Sequence, residues 1–191
     1  MTEYKKKVGL CVTGSFCTLS RFLGRIEELA GLFDLTPVFS EAAQTTDTRF
    51  GAAADVTRRI EAIAGKPGLR SIAEAERVGP EGLFDLLLIA PCTGNTLAKL
   101  ALGITDGAVT MAAKSHLRGG KPLVIALSTN DALGANAKNL GELLNVKNVY
   151  FAPMYQDDCV NKAKSLTFRM ELLTETLELA LEGRQIQPMF G

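Results

Sequence analysis

Residues 83–107 read LFDLLLIAPCTGNTLAKLALGITDG, and they decide the fold. The segment 83–90 is a continuous apolar run, the pattern of a strand buried on both faces. Pro91 reads as its end. Cys92, Thr93, Gly94, Asn95 and Thr96 then lead straight into an apolar helical pattern over 95–102, and a second helix follows at 106–118. A helix cap needs one small polar residue, whereas this junction has four in a row. Free amides at a helix N-terminus, two hydroxyls and a carboxamide also suit a phosphate or the polar edge of a ring. Both readings stand at this point.

The same alternation runs through the rest of the chain. KVGLCVT (7–13) reads as a buried strand stopped by Gly14. Leu19, Phe22, Leu23, Ile26 and Leu29 mark a helix over 18–31 that stops at Gly31. FDLTPVFS (33–40) is a second strand, tempered by Pro37. Residues 49–65 form a helix ending at Gly65, and 66–82 hold a short strand near 69–72 and one helical turn. KPLVIALS (121–128) is a strand, 133–145 a helix, NVYFAP (148–153) a last strand and 165–182 an amphipathic helix. The fold class is therefore α/β: a single-domain, doubly wound, mainly parallel and Rossmann-like sheet over residues 1–191. Ligands of such sheets sit at the carboxyl ends of the strands, where the strand order switches.

Those ends carry the candidate site. After the first strand come Thr13, Gly14 and Ser15: a glycine for close approach, then either a helix cap or a hydroxyl and amide for an anion. Ser40 ends the second strand, followed by the polar stretch QTTDTRFG (44–51), which is a solvated loop or a site mouth. Ser128, Thr129, Asn130 and Asp131 stand where the 121–128 strand stops. Hydroxyl and amide clusters at three separate strand ends point to one convergent site rather than three caps. Neither GxGxxG nor a Walker A motif is present, so classical dinucleotide or ATP binding has no support.

Composition excludes other classes. Lys+Arg and Asp+Glu balance at 21 each, so no basic excess argues for nucleic acid or an anionic membrane. The N-terminal MTEYKKKVGLCVTG lacks a cleavage site that fits a signal peptide, and no run reaches the roughly 18 apolar residues of a membrane span, so a cytoplasmic protein is expected. The four cysteines (Cys11, Cys17, Cys92, Cys159) form no CxxC pair and the lone histidine is His116, so no metal site is expected. His116 near a helix end reads as structural, and Cys11 and Cys92 as core. Lys99, one turn after Asn95, reaches a phosphate or is a solvated lysine.

TGS after the first strand, a serine ending the second, and APCTGNTLAKLALGITD resemble the flavoprotein family of flavin-dependent cysteine decarboxylases and flavin prenyltransferases. The family's Pro-Ala-Ser-Ala-Asn-Thr motif falls on Pro91–Thr96. Its Pro-x-Met-Asn motif keeps only Asn130, and its Gly-Arg-Met falls on Phe168, Arg169 and Met170. Within that family, TGSFCT, QTTDTRFG, APCTGNTLAK, STNDALG, KNVYFAP and FRMELLTETLELALEGRQIQP, in order, resemble the dipicolinate synthase B subunits of spore-forming bacteria. This resemblance implies FMN held by Gly14, Ser15, Ser40, Thr93, Gly94, Asn95 and Thr96, with Ser128 and Thr129 near the flavin. Asn130 takes the place of a substrate-carboxylate ligand. It also implies a homotrimer or a multiple of one, a partner A subunit carrying NADP, and oxidation of dihydrodipicolinate to dipicolinate (pyridine-2,6-dicarboxylate) in the sporulating mother cell. For the dicarboxylate substrate, Arg49 is the first cationic candidate and Arg169 the second. Two alternatives stay open: a non-catalytic partner that organises the A subunit, and a flavin-dependent decarboxylase or flavin prenyltransferase. The decarboxylases use a histidine base between the second strand and 83–90, and this chain has none there.

Overall fold

The computed structural model describes residues 5–191; the first four residues of the N-terminal segment discussed above lie outside them. Five parallel strands, β1 (Lys7–Val12), β2 (Asp34–Phe39), β3 (Leu86–Cys92), β4 (Leu123–Thr129) and β5 (Val149–Phe151), lie in the order β2-β1-β3-β4-β5. The α/β, mainly parallel reading therefore holds. The side chains alternate between two cores. Val8, Leu10 and Val12 join Leu86, Leu88, Val124 and Ala126 under α1 (Phe16–Leu32), α3 (Ala53–Ala64) and α8 (Leu173–Leu181). Cys11, Leu87, Ile89, Ile125 and Leu127 join the opposite core, under α4 (Ile72–Glu76), α5 (Gly94–Ala101), α6 (Ala108–Arg118) and α7 (Ala137–Leu144). Covering both faces is what makes β3 apolar without alternation, and every one of its residues is buried.

The chain winds outward from β1 to β2, then returns past β1 to β3. The switch in direction lies between β1 and β3, and it opens a crevice over their carboxyl ends. Pro37 sits in β2 without disruption because β2 is the edge strand of the parallel order. The expected strand near 69–72 shrinks to one bridge onto that edge: the Leu69 N–H donates to the Pro37 carbonyl at 2.8 Å and the Phe39 N–H to the Leu69 carbonyl at 2.9 Å.

Several boundaries differ from the expectation. Pro91 does not end the strand; β3 runs through it to Cys92, with a register irregularity between Ile89 and Cys92. α1 starts two residues early, at Phe16, and passes through Gly31. The helix expected from Arg49 starts at Ala53, because residues 48–51 close on themselves through paired Thr48–Gly51 backbone bonds of 3.0 Å. It ends at Gly65 in the left-handed conformation, as read.

The largest difference is at 165–182. Helix forms only from Leu173, after a single 3₁₀ turn at Met170–Leu172. Before it, β7 (Leu166–Phe168) pairs antiparallel with Ser128 and Thr129 at the tip of β4, and β6 (Met154–Tyr155) pairs with β7. β5 is too short to reach that tip, so the last backbone groups of β4 take β7 instead, and this long-range pairing overrides the local helical pattern. Phe168 fixes the strand from below, edge-on to Phe22 at 5.8 Å between ring centres.

Candidate functional site

Three strand ends meet at the switch point. Thr13, just past β1, is buried and ties two of them together: its hydroxyl donates to the Pro91 carbonyl at 2.6 Å and accepts the Thr93 N–H at 3.1 Å. Above this strut lies a cleft of about 520 Å³, lined by Gly14, Ser15, Thr93, Gly94, Ser128, Thr129 and Asn130 among others. A second hollow of about 300 Å³ adjoins it across Gly14 and Thr93, and takes Ser40, Asn95 and Thr96 into its lining. The structure thus brings all nine residues expected to hold a cofactor, together with Asn130, around two connected hollows. The hollows meet over Gly14; a Cβ there would lie 3.2 Å from Ala42 and narrow the junction.

The hydroxyls divide between caps and site. Ser40 caps α2 (Glu41–Thr45) by accepting the Ala43 N–H at 3.2 Å, and Thr93 caps α5 by accepting the Thr96 N–H at 3.1 Å. Ser15 behaves differently. It occupies the N-cap position of the 17-residue α1 but its side chain caps nothing; its hydroxyl donates instead to the Ser128 carbonyl at 3.3 Å. The first-turn amides of α1 are left without a side-chain partner at the edge of the cleft. Behind them Thr18, Ser128 and Thr167 form a hydroxyl chain, with Thr18 and Ser128 oxygens 2.7 Å apart and Thr167 donating to Ser128 at 3.4 Å.

Gly94 is required by its neighbours. A Cβ there would come within 2.6 Å of Asn136 Nδ2, 2.7 Å of Thr129 Oγ1 and 2.9 Å of Asp131 Oδ1. Those atoms are one network: the Asp131 carboxylate accepts from Thr129 Oγ1 at 2.7 Å and from Asn136 Nδ2 at 2.9 and 3.0 Å, and Asn139 supports Asn136 at 2.8 Å. Asp131 is therefore the hub that fixes the 128–131 loop against the start of α5, while Asn95 and Asn130 stay exposed at the hollows.

The cationic candidates are not where the sequence suggested. Arg49 is exposed and stacks over Phe50 at 4.9 Å; only Phe50 lines the cleft. Arg169 stacks over Tyr155 at 4.9 Å, faces Glu171 at 3.5 Å and lines neither hollow. Each arginine finds an aromatic face and so is held outside the cleft. Lys99 lines the smaller hollow but is engaged by Asp106 at 2.7 Å, which holds the Asp106 carboxyl below the usual range. The cations that do line the larger cleft are Arg21, from α1, and Lys162, from the segment between β6 and β7. Arg21 follows Cys17 by four residues on the same helix face, a spacing visible only once α1 is known to start at Phe16.

His116 is structural, as read. It lies in the last turn of α6 on the buried face, with Nε2 at 3.0 Å from the Pro122 carbonyl, and burial pushes its imidazole down to about 4. The unfolded chain takes up this proton near pH 6.5 and the folded chain only near 4. Stability is therefore complete above about pH 6.5 and falls as pH drops through that window, by about 3 kcal/mol in all. Urea midpoints between pH 7 and 4.5 should show this loss, and His116→Gln should flatten it; an equal loss in the variant would assign the acid sensitivity to carboxylates. Burial also pushes the Cys11 and Cys92 thiols far up, so neither serves as a thiolate.

Residues 1–175 match the Flavoprotein family. The chain belongs to this flavoprotein family. Among curated relatives, the dipicolinate synthase B subunit of Bacillus subtilis (strain 168) is 42% identical over 185 residues, which cover 96% of this chain and 92% of the relative. The crystal structure of the dipicolinate synthase B subunit from Bacillus halodurans C superposes with a TM-score of 0.88 at 44% identity, over 97% of this chain and 96% of that one. The resemblance read from the motifs is borne out. The crystal structure of the FMN-dependent cysteine decarboxylase SpaF superposes with a TM-score of 0.65 at 20% identity, over 94% of this chain and 96% of that one, and shares the fold. None of the described helices is long and apolar enough to cross a membrane.

Proposed function

We propose that this chain is a single flavoprotein domain that binds FMN in the two connected hollows and serves as the B subunit of a dipicolinate synthase. One observation carries the reading: Gly14–Ser15, Thr93–Thr96 and Ser128–Asn130 converge at one switch-point cleft, in a chain that aligns almost end to end with a known B subunit of that enzyme. The residues fit the cofactor. The uncapped first-turn amides of α1 suit its phosphate, while the Ser15 amide is taken by the Thr13 carbonyl at 2.9 Å; the bare Gly14 keeps the junction of the hollows open; Ser128, Thr129 and Asn130 offer polar groups to a ring edge.

When bound, FMN supplies a two-electron acceptor for aromatising a dihydropyridine dicarboxylate. The chain itself holds and orients. The Thr13 strut fixes β1 against β3, and Asp131 fixes the 128–131 loop, so the hydroxyls converge without reorganisation. The A subunit, carrying NADP, completes the enzyme in the cytoplasm of the sporulating mother cell, and the B subunits associate as a trimer or a multiple of one.

A second reading, in which the chain organises the A subunit without doing chemistry, is favoured by one observation. Two lining carboxylates placed to accept a proton are each engaged by a lysine, Asp106 by Lys99 at 2.7 Å and Asp157 by Lys162 at 3.2 Å. The decarboxylase reading loses its base, since the lone histidine is the buried His116. Anaerobic addition of dihydrodipicolinate to the FMN-loaded two-subunit complex separates the first two readings. Bleaching of the flavin band with release of dipicolinate is expected. Dipicolinate formed without bleaching would make the chain an organiser.

A further inference from the structure

We infer that Arg21 and Lys162 bind the two carboxylates of the substrate at the mouth of the larger cleft and so select dicarboxylates over monocarboxylates. This rests on the dipicolinate reading above and assigns substrate-binding residues that the sequence motifs do not contain.

The placement carries the inference. Among the described residues that line the larger cleft, Arg21, Lys162 and Asp157 carry the charges. The Arg21 guanidinium makes no hydrogen bond or ion pair to any described residue; Arg49 and Arg118 share that state, but of the three Arg21 alone lines the cleft, and the other seven arginines are paired. A free guanidinium at a polar cleft is matched to a planar carboxylate, which it grips through two parallel N–H donors. Lys162 comes from a different element, the 156–165 segment, so the two cations reach the cleft from separate walls. Lys162 is held by Asp157 at 3.2 Å, and Asp157 also accepts from Ser165 at 3.1 Å. That ion pair is half-exposed, and pairs of this kind contribute little, about 0–1 kcal/mol. Lys162 therefore exchanges Asp157 for a ligand carboxylate at small cost. The same cleft is lined by the Thr18–Ser128–Thr167 hydroxyl chain, neutral polar groups that accept a ring without repelling its acid groups. Arg21 and Lys162 are both exposed, which suits a ligand that exchanges at every turnover, and the uncapped first-turn amides of α1 remain for the cofactor phosphate.

The test uses the full-length protein with FMN, and pyridine-2,6-dicarboxylate and pyridine-2-carboxylate as probes, followed by calorimetry and by perturbation of the flavin spectrum. Wild type should bind the dicarboxylate more tightly by a factor of about 10 to 100, the worth of one charge-assisted pair. Arg21→Gln and Lys162→Gln should each lose that preference while retaining flavin, and Arg21→Lys should recover only part of it. Three results would overturn the inference: wild type that shows no preference, variants that keep it, or an Arg21→Gln protein that loses FMN, which would place Arg21 on the cofactor phosphate. Failure of the flavin reading is distinguishable, because wild type would then lack flavin while calorimetry still reports whether the dicarboxylate preference exists and depends on both cations.

Discussion

Ser15→Asp should fold normally and lose FMN. The substitution places a carboxylate at the N-cap of α1, where the native serine leaves the first-turn amides uncapped. Aspartate is a good cap, so the stability of the free protein should hold or rise by up to about 1 kcal/mol. The same carboxylate occupies the position proposed for the cofactor phosphate and repels it. FMN affinity should fall by at least about 100-fold, because a charge-assisted anion site is both filled and reversed in sign. Stability and binding thus move in opposite directions. Ser15→Ala removes only the hydrogen bond to the Ser128 carbonyl and should weaken FMN to a smaller degree. Paired urea unfolding and FMN titration read both quantities, and an aspartate variant with wild-type FMN affinity would move the phosphate elsewhere.

Phe168→Ala should destabilise the fold by about 3–5 kcal/mol, the cost of emptying a fully buried aromatic site. Phe168 meets Phe22 edge-on and belongs to the core beneath β1, β3 and β4. Its loss also releases β7, which carries the Thr167 hydroxyl to Ser128 and anchors the segment holding Lys162. Binding of the dicarboxylate should weaken along with stability. Phe50→Ala is the control: Phe50 is 42% exposed, so its removal should change stability by less than about 0.5 kcal/mol. Urea midpoints of the two variants, measured together, check the contrast; equal losses would mean that β7 is not fixed by this contact.

Much of the fold is legible in the residues because the helices cover both faces of the sheet. That burial forces β1, β3 and β4 into apolar runs, and the helices into amphipathic stretches bounded by Gly65 and the Thr93 cap. The site is legible for a related reason: apolar strands ending in Thr13–Ser15, Thr93–Thr96 and Ser128–Asn130 mark where the core stops and a polar crevice begins. What stays hidden depends on distant partners. β7 is a strand because the tip of β4, 39 residues earlier at Ser128, lacks a neighbour, and nothing within 165–182 announces that. Pro91 reads as a strand end because proline cannot donate to a ladder, yet β3 passes through it at a register irregularity where no such donor is required. Arg49 and Arg169 attract notice through the motifs around them, but aromatic faces at Phe50 and Tyr155 hold them outside the cleft. Lys162 lies in an aperiodic segment, and only the pairing of β6 with β7 folds that segment over the cleft.

The most direct test of the account is an FMN titration of the purified protein, followed by flavin absorbance and calorimetry, with Ser15→Asp alongside. Wild type should take up one FMN per chain with a perturbed visible spectrum, and the aspartate variant should bind it at least about 100-fold more weakly. A wild-type protein that takes up no FMN, yet still supports dipicolinate formation by the A subunit, would contradict it.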